Sequence, residues 1–482
     1  MTDPGALMVW LILLPLAWAC LAFLLGSGRG AQAAIIGLGL QLGLTLLLAV
    51  MLSGAGAASH AVGGWPAPLG IALAADGLSV LMLLLTQLIA LPLAVYAHAY
   101  FAAGSVEGRY FWPLTGILLA GLNGLFLSAD LFNLYVTLEL VGLSAVGLVA
   151  AGGGVSQVAA ALRYLFAALV GSGAYLLGVA LIYGAYGTVS LETLGPLVVA
   201  EAPRAVWLAG GLMLVGLMLK TALFPFHYWL PSAHGGAPAP VSALLSALVV
   251  KASFYLILRL WLDPFGALVA RAELLAWLPM TLGSAAILWG SWKAIRAPRI
   301  KMLIAYSTVA QLGYLFLIFP LLGTAGARQA GMMHVFAHGL AKAAMFTAAG
   351  VLIKVTGQDT VAGLAGVAGR RPLSLYAFGL AGITIMGLPP SSGFLAKWLL
   401  IEAALQQGHW IIALMVLVGG LLATAYVFRV LRQAFLRAPR AGELVAVPRT
   451  LELMAFVLAA ASVLLGLRGV ELMALLSIGS AA

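Results

Sequence analysis

The sequence predicts an all-α integral membrane protein of about fourteen transmembrane helices, and three observations carry that prediction. Of its 482 residues, 63% are hydrophobic and 8% charged, and the mean hydropathy is +1.11. Soluble domains carry roughly 25% charged residues, so this composition excludes them. Apolar runs long enough for the ~20 residues of a spanning helix recur along the whole chain. The ~10-residue alternating segments of a membrane β-barrel are absent.

Taken in order, the runs fall at about 7–25, 33–52, 77–99, 110–127, 130–150, 158–183, 205–225, 240–262, 273–293, 301–321, 328–353, 373–403, 410–435 and 450–475. The first, Leu7 to Leu25, lacks a basic leader and reads as a span rather than a cleaved signal. The loop from Ser53 to Ala75 is Gly/Ala-rich and free of lysine and arginine, and segment 188–203 is too broken to span. Both suit the outer face. If the N-terminus is outside, the loops after odd-numbered spans hold fifteen of the 24 Lys and Arg residues, the other side holds five, and four are intramembrane. That bias predicts a multi-pass protein of the bacterial cytoplasmic (inner) membrane with both termini outside. The net charge of +10 and pI of about 9.8 follow from these loops and do not signal nucleic acid, since the basic run Arg429 to Arg449 has no aromatic stacking platform. Ala151-Gly-Gly-Gly lacks the strand and helix context of a nucleotide site. The single Cys20 excludes an internal disulfide or a cysteine-ligated metal centre.

Ionisable residues inside these runs single out the chemistry. Lysine, arginine or aspartate at mid-span costs at least ~2.5–3.5 kcal/mol, so such residues are expected to serve function. Lys220 lies in the seventh run; Pro225 breaks that helix, His227 follows, and Lys251 sits in the eighth run. A proline frees backbone groups that only protein or water can satisfy at that depth. Glu139 lies about nine residues into the fifth run, near mid-depth at ~1.5 Å per residue. His334, His338 and Lys342 recur at intervals of four and share one helical face. The histidine pair could hold a metal or haem; a proton relay suits it better, because no neighbouring Glu or Cys completes a metal site. Gly387-Leu-Pro-Pro-Ser-Ser-Gly393 breaks the twelfth run just before Lys397. Two broken helices in corresponding positions point to inverted repeats with sites near the midplane.

The stretch from Lys220 through Phe224-Pro225, Trp229-Leu230-Pro231 and Ala237-Pro238-Ala239-Pro240-Val241-Ser242 resembles the signature of a known family. It is similar to the antiporter-like membrane subunits shared by respiratory complex I, Mrp-type cation/proton antiporters and membrane-bound hydrogenases. The resemblance implies that Glu139 pairs with Lys220, that the eleventh span carries a histidine and lysine, and that Lys397 is the ionisable residue after the second break. It also implies repeats over 107–262 (helices 4–8) and 263–440 (helices 9–13), flanked by 1–106 (helices 1–3) and 441–482 (helix 14). The implied function is proton translocation along Glu139, Lys220, His227, Lys251, His334, His338, Lys342 and Lys397. The implied partners are the other membrane subunits of a respiratory or antiporter complex, protons, Na+ in the antiporter case, and the lipid bilayer. No cofactor or redox site of its own is expected, so any oxidoreductase activity belongs to the assembly. A self-contained secondary transporter and a haem- or quinone-holding redox subunit remain as alternatives, and the sequence leaves the parent complex open.

Overall fold

The computed structural model describes residues 3–67, 69–199, 201–272, 274–437 and 445–479; Arg440 of the basic run lies outside the described residues. Helix α1 covers Pro4–Ala55, 52 residues that would reach ~78 Å if straight, more than twice the hydrocarbon core. It is not straight. Gly26 takes φ 75°, and beyond it a Cβ on Gly30 would lie 2.7 Å from the Ala22 carbonyl oxygen. Residues 22 and 30 meet only if the chain turns back, so α1 is a hairpin of two apolar segments, matching the runs at 7–25 and 33–52.

Strands β1 (Ala58–Ala61) and β2 (Ala72–Ala75) pair antiparallel within the predicted loop. Eight residues paired with each other satisfy their own ladder and give no hydropathy signal.

The remaining helices are α2 (Gly77–Tyr100), α3 (Val106–Leu127), α4 (Leu131–Ala150), α5 (Val155–Tyr186), α6 (Leu191–Leu197), α7 (Arg204–Thr221), α8 (Leu230–Gly236), α9 (Ala239–Leu244), α10 (Val250–Leu262), α11 (Gly266–Arg271), α12 (Leu274–Arg296), α13 (Ile300–Phe316), α14 (Ala325–Thr356), α15 (Pro372–Met386), α16 (Ser392–Gln406), α17 (Trp410–Phe435), α18 (Arg449–Leu464) and α19 (Gly469–Leu476). Among the described residues, twelve helical segments are long and apolar enough to cross a membrane. The protein is a multi-pass integral membrane protein.

Burial sorts these segments. The apolar window of α9 to α10 is wholly buried and that of α14 is 94% buried, against 39% for α12 and α17. The helices bearing Lys251 and Lys342 therefore form the centre, α13 and α3 are nearly as enclosed at 89% and 83%, and α12 and α17 turn an apolar side outward. Because lipid is as apolar as leucine, helices in a bilayer associate by close packing at small residues. Two pairs show it. Gly171 of α5 faces Gly216 of α7, and Gly283 of α12 faces Gly313 of α13; a Cβ on Gly216 or Gly313 would lie 2.3 Å from the facing glycine's carbonyl oxygen.

Candidate functional site

The two breaks fall where the sequence puts them. Helix α7 ends at Thr221, and Ala222 takes the left-handed conformation (φ 57°); the Leu219 carbonyl there accepts both the Ala222 N–H at 3.1 Å and the Trp229 indole N–H at 2.9 Å. Helix α15 ends at Gly387 (φ 83°). Glycine is required there twice over, by that φ and because a Cβ would lie 2.6 Å from Lys397 Cδ. A third irregularity has no counterpart in the sequence reading: Leu245–Val249, between α9 and α10, forms a π-helical turn. Such turns leave the regular hydrogen-bond ladder and often accompany functional sites.

Each buried lysine donates to oxygen, and for Lys251 and Lys397 that oxygen lies at one of these irregularities. Lys220 lies along the groove left by Gly171 and donates to Glu139 Oε2 at 3.4 Å, the ion pair that the resemblance implies. Glu139 is not sealed at mid-core; its side chain is 17% exposed, against 6% for Lys220. Lys251, fully buried, donates to the Ser246 carbonyl inside the π turn. Lys342, also fully buried, donates to the Ser307 hydroxyl and, at 3.1 Å, to the Ile304 carbonyl. Lys397 donates to the Ile385 and Met386 carbonyls at 2.8 and 2.9 Å, and its ammonium sits 4.7 Å from the Tyr314 ring centroid. The end of α15 presents the negative end of its dipole there, and the ring face adds a further attraction for a cation.

Hydroxyl groups link these stations. The Thr221 hydroxyl, next to Lys220, donates to Ser253 Oγ at 2.9 Å, two residues beyond Lys251. Thr308 donates to the Ile304 carbonyl at 3.0 Å, which leaves the Ser246 hydroxyl to donate to Thr308 at 2.9 Å. The carbonyl that holds Lys342 is thus joined through Thr308 to the residue that holds Lys251. On α14, His334 and His338 stack with ring centroids 6.0 Å apart, and His334 Nε2 donates to the Gln311 carbonyl at 3.0 Å. Both ring nitrogens of His338 are buried without a hydrogen-bond partner. A buried polar group left unpaired costs ~1–3 kcal/mol. Tyr314 stands between the last stations, its ring 5.3 Å from His334 and under Lys397.

His227 is the expected station that the structure does not bring into line. It is half-buried, stacks on Phe224 at 5.5 Å and accepts a hydrogen bond from the Trp289 indole of α12 at 3.2 Å. The short 3-10 turn after Pro225 swings it toward α12, while the α7 and α10 helices meet directly through Thr221 and Ser253.

Sequence reasoning passes over three groups. His234 is wholly buried on α8, stacked on Phe346, with both nitrogens unpartnered, and lies close enough to Lys251, Lys301 and Lys342 to feel their charges. Its position seven residues after His227, two helical turns on, is the available signal. Lys301, counted only among the cytoplasmic loops and helix ends, turns inward at the start of α13 and donates to the Ala237 carbonyl. The Ser246, Ser307 and Thr308 hydroxyls carry no charge and so give no signal in an apolar run. Among the described residues, no three His, Cys, Asp or Glu side chains gather as a metal site.

Comparison with known proteins gives the same signature a wider setting. Residues 128–423, which carry Glu139 and every buried lysine discussed above, match the family described as NADH:quinone oxidoreductase/Mrp antiporter, TM. Over 416 residues the chain is 36% identical to NADH-quinone oxidoreductase subunit N of Desulforudis audaxviator, covering 83% of this chain and 82% of that one. It is 30% identical to a Na(+)/H(+) antiporter subunit of Bacillus subtilis over 379 residues, 78% of this chain and 75% of the relative. Among solved structures, a chain of the Mrp complex from Dietzia sp. DQ12-45-1b superposes with a TM-score of 0.91 at 28% identity, covering 99% of this chain and 97% of that one.

Proposed function

Because this chain belongs to the NADH:quinone oxidoreductase/Mrp antiporter transmembrane family, we propose that it is the proton-translocating subunit of a multisubunit membrane complex. The observation that carries the reading is the series of four buried lysines, each held by oxygen atoms, with hydroxyls and imidazoles lying between them. An unpaired ammonium in a dry interior is disfavoured, so a lysine there gives up its proton readily, whereas a carboxylate beside it stabilises the charge. Glu139 stands beside Lys220 alone of the four. Any movement that parts the pair would therefore release the Lys220 proton toward Thr221, Ser253 and Lys251. From Lys251 the sequence of groups continues through Ser246, Thr308 and Lys342, past His338, His334 and Tyr314, to Lys397.

In this reading the chain is built of two inverted repeats, 107–262 and 263–440, each with one break and its own lysine pair. The membrane is the bacterial cytoplasmic membrane, with both termini outside, on the strength of the basic-residue bias. The partners are the other membrane subunits of either an NADH:quinone oxidoreductase-type or a cation/proton antiporter-type assembly. The chain supplies the path and its partners supply the driving force, since coupling needs a second site whose state biases the first.

The test is to reconstitute the purified chain alone in liposomes with a pH-sensitive dye and an imposed sodium gradient. No sodium-dependent proton movement is expected. Robust movement that Lys251→Ala abolishes would make the chain a complete transporter and refute the subunit reading.

A further inference from the structure

Among the described residues, the end of α12 that carries Lys293 and Arg296 has positive charge with no counter-charge. Its other basic neighbours are satisfied: Arg299 pairs with Asp359 at 3.3 Å, and Arg429 donates to the Ile295 and Ala297 carbonyls at 2.6 and 2.7 Å, capping the helix end. Lys293 and Arg296 instead lie against aromatic faces. The Lys293 ammonium is 5.4, 5.5 and 5.9 Å from the ring centroids of Trp289, Trp292 and Tyr306, and the Arg296 guanidinium is 4.5 Å from that of Trp292. Rings from two helices thus hold the cations in place while neutralising none of their charge. Trp289 and Trp292 are 39% and 40% exposed, on a helix whose apolar window is mostly unburied and turned to lipid. Tryptophan at this depth marks the level of the headgroups.

From this we infer that Lys293 and Arg296 form a binding site for the phosphodiester headgroup of an anionic phospholipid, with Trp289 and Trp292 flanking its glycerol and upper acyl carbons. Two fixed cations with open donors match a phosphate, and a zwitterionic lipid would bring its own ammonium into the same space. The site adjoins the first break, because Trp289 also donates to His227.

The full-length chain in nanodiscs of phosphatidylcholine is exposed to a photoactivatable phosphatidylglycerol or to the matching phosphatidylcholine probe, and crosslinked peptides are mapped by mass spectrometry. Labelling of residues 289–306 by the anionic probe is expected to exceed the zwitterionic one on the order of tenfold. It should fall to the zwitterionic level in the Lys293→Gln/Arg296→Gln double variant and persist in Lys293→Arg/Arg296→Lys, which keeps the charge and controls for folding. Equal labelling by both probes, labelling unchanged in the double variant, or displacement by millimolar inorganic phosphate would overturn the inference.

Discussion

The Ser246 and Thr308 hydroxyls lie 2.9 Å apart, on segments 62 residues distant in sequence, and connect the π turn that holds Lys251 to the α13 turn that holds Lys342. If protons pass between these lysines, the link should matter to rate more than to stability. A lost neutral hydrogen bond removes about 0.5–1.5 kcal/mol, or roughly two- to tenfold in rate if all of it falls on the barrier. Thr308→Val is therefore expected to slow proton uptake by complex-bearing vesicles within that range, with assembly unchanged. Ser246→Ala should match it, and the double variant should be no worse than either alone.

The glycine contacts make a prediction about stability. A Cβ on Gly216 meets the Gly171 carbonyl oxygen at 2.3 Å and the Tyr175 nitrogen at 3.2 Å, both backbone atoms that no rotamer change can move. Gly216→Ala should force α5 and α7 apart at a cost of about 1–3 kcal/mol, read as a lower melting temperature of the purified chain. Gly211→Ala, on the same helix in open space, is the control and should change little.

Outside the spans, Asp76 caps α2 by accepting from the Ser79 N–H at 2.9 Å and pairs with Arg259. Burial raises its pKa, but the Arg259 charge and the hydrogen bonds outweigh burial and leave the carboxyl below its ordinary value. A depressed folded pKa gives stability that is complete above the unfolded value, near 3.9, and lost as pH falls through the lower folded value. Asp76→Asn should lower the melting temperature at neutral pH. That gap should narrow as the pH falls below about 4. A gap that is constant with pH would show that the pair contributes nothing through its charge.

Topology is open to cysteine labelling on a Cys20→Ser background. A cysteine at position 370 should react only from the cytoplasmic side, and one at position 59, on the β-hairpin, only from outside. The opposite pattern would invert the orientation drawn from the basic residues.

Much of this is legible in the residues alone, and the limits have physical reasons. The breaks at Pro225 and Gly387 are visible because proline and glycine interrupt a helix through their own backbone chemistry. The buried lysines are visible because charge in an apolar run is costly enough to need a reason. What stays hidden depends on packing. The π turn at Leu245–Val249 has no sequence signature, and the hydroxyls of Ser246 and Thr308 gain meaning only when α13 is laid against the π turn. His227 and His234 read alike as letters; the turn after Pro225 sends one toward α12 and buries the other near the lysines. Lys301 reads as an orientation signal in a loop, yet its long side chain reaches inward to Ala237.

The central claim, that protons cross by way of the Glu139–Lys220 pair, is tested most directly by proton uptake into vesicles bearing the assembled complex with Glu139→Gln or Lys220→Ala. Each substitution removes one half of the 3.4 Å ion pair. The account predicts that either variant assembles fully and that driven proton movement falls to the background of empty vesicles. Wild-type uptake in an assembled complex carrying either variant would contradict it.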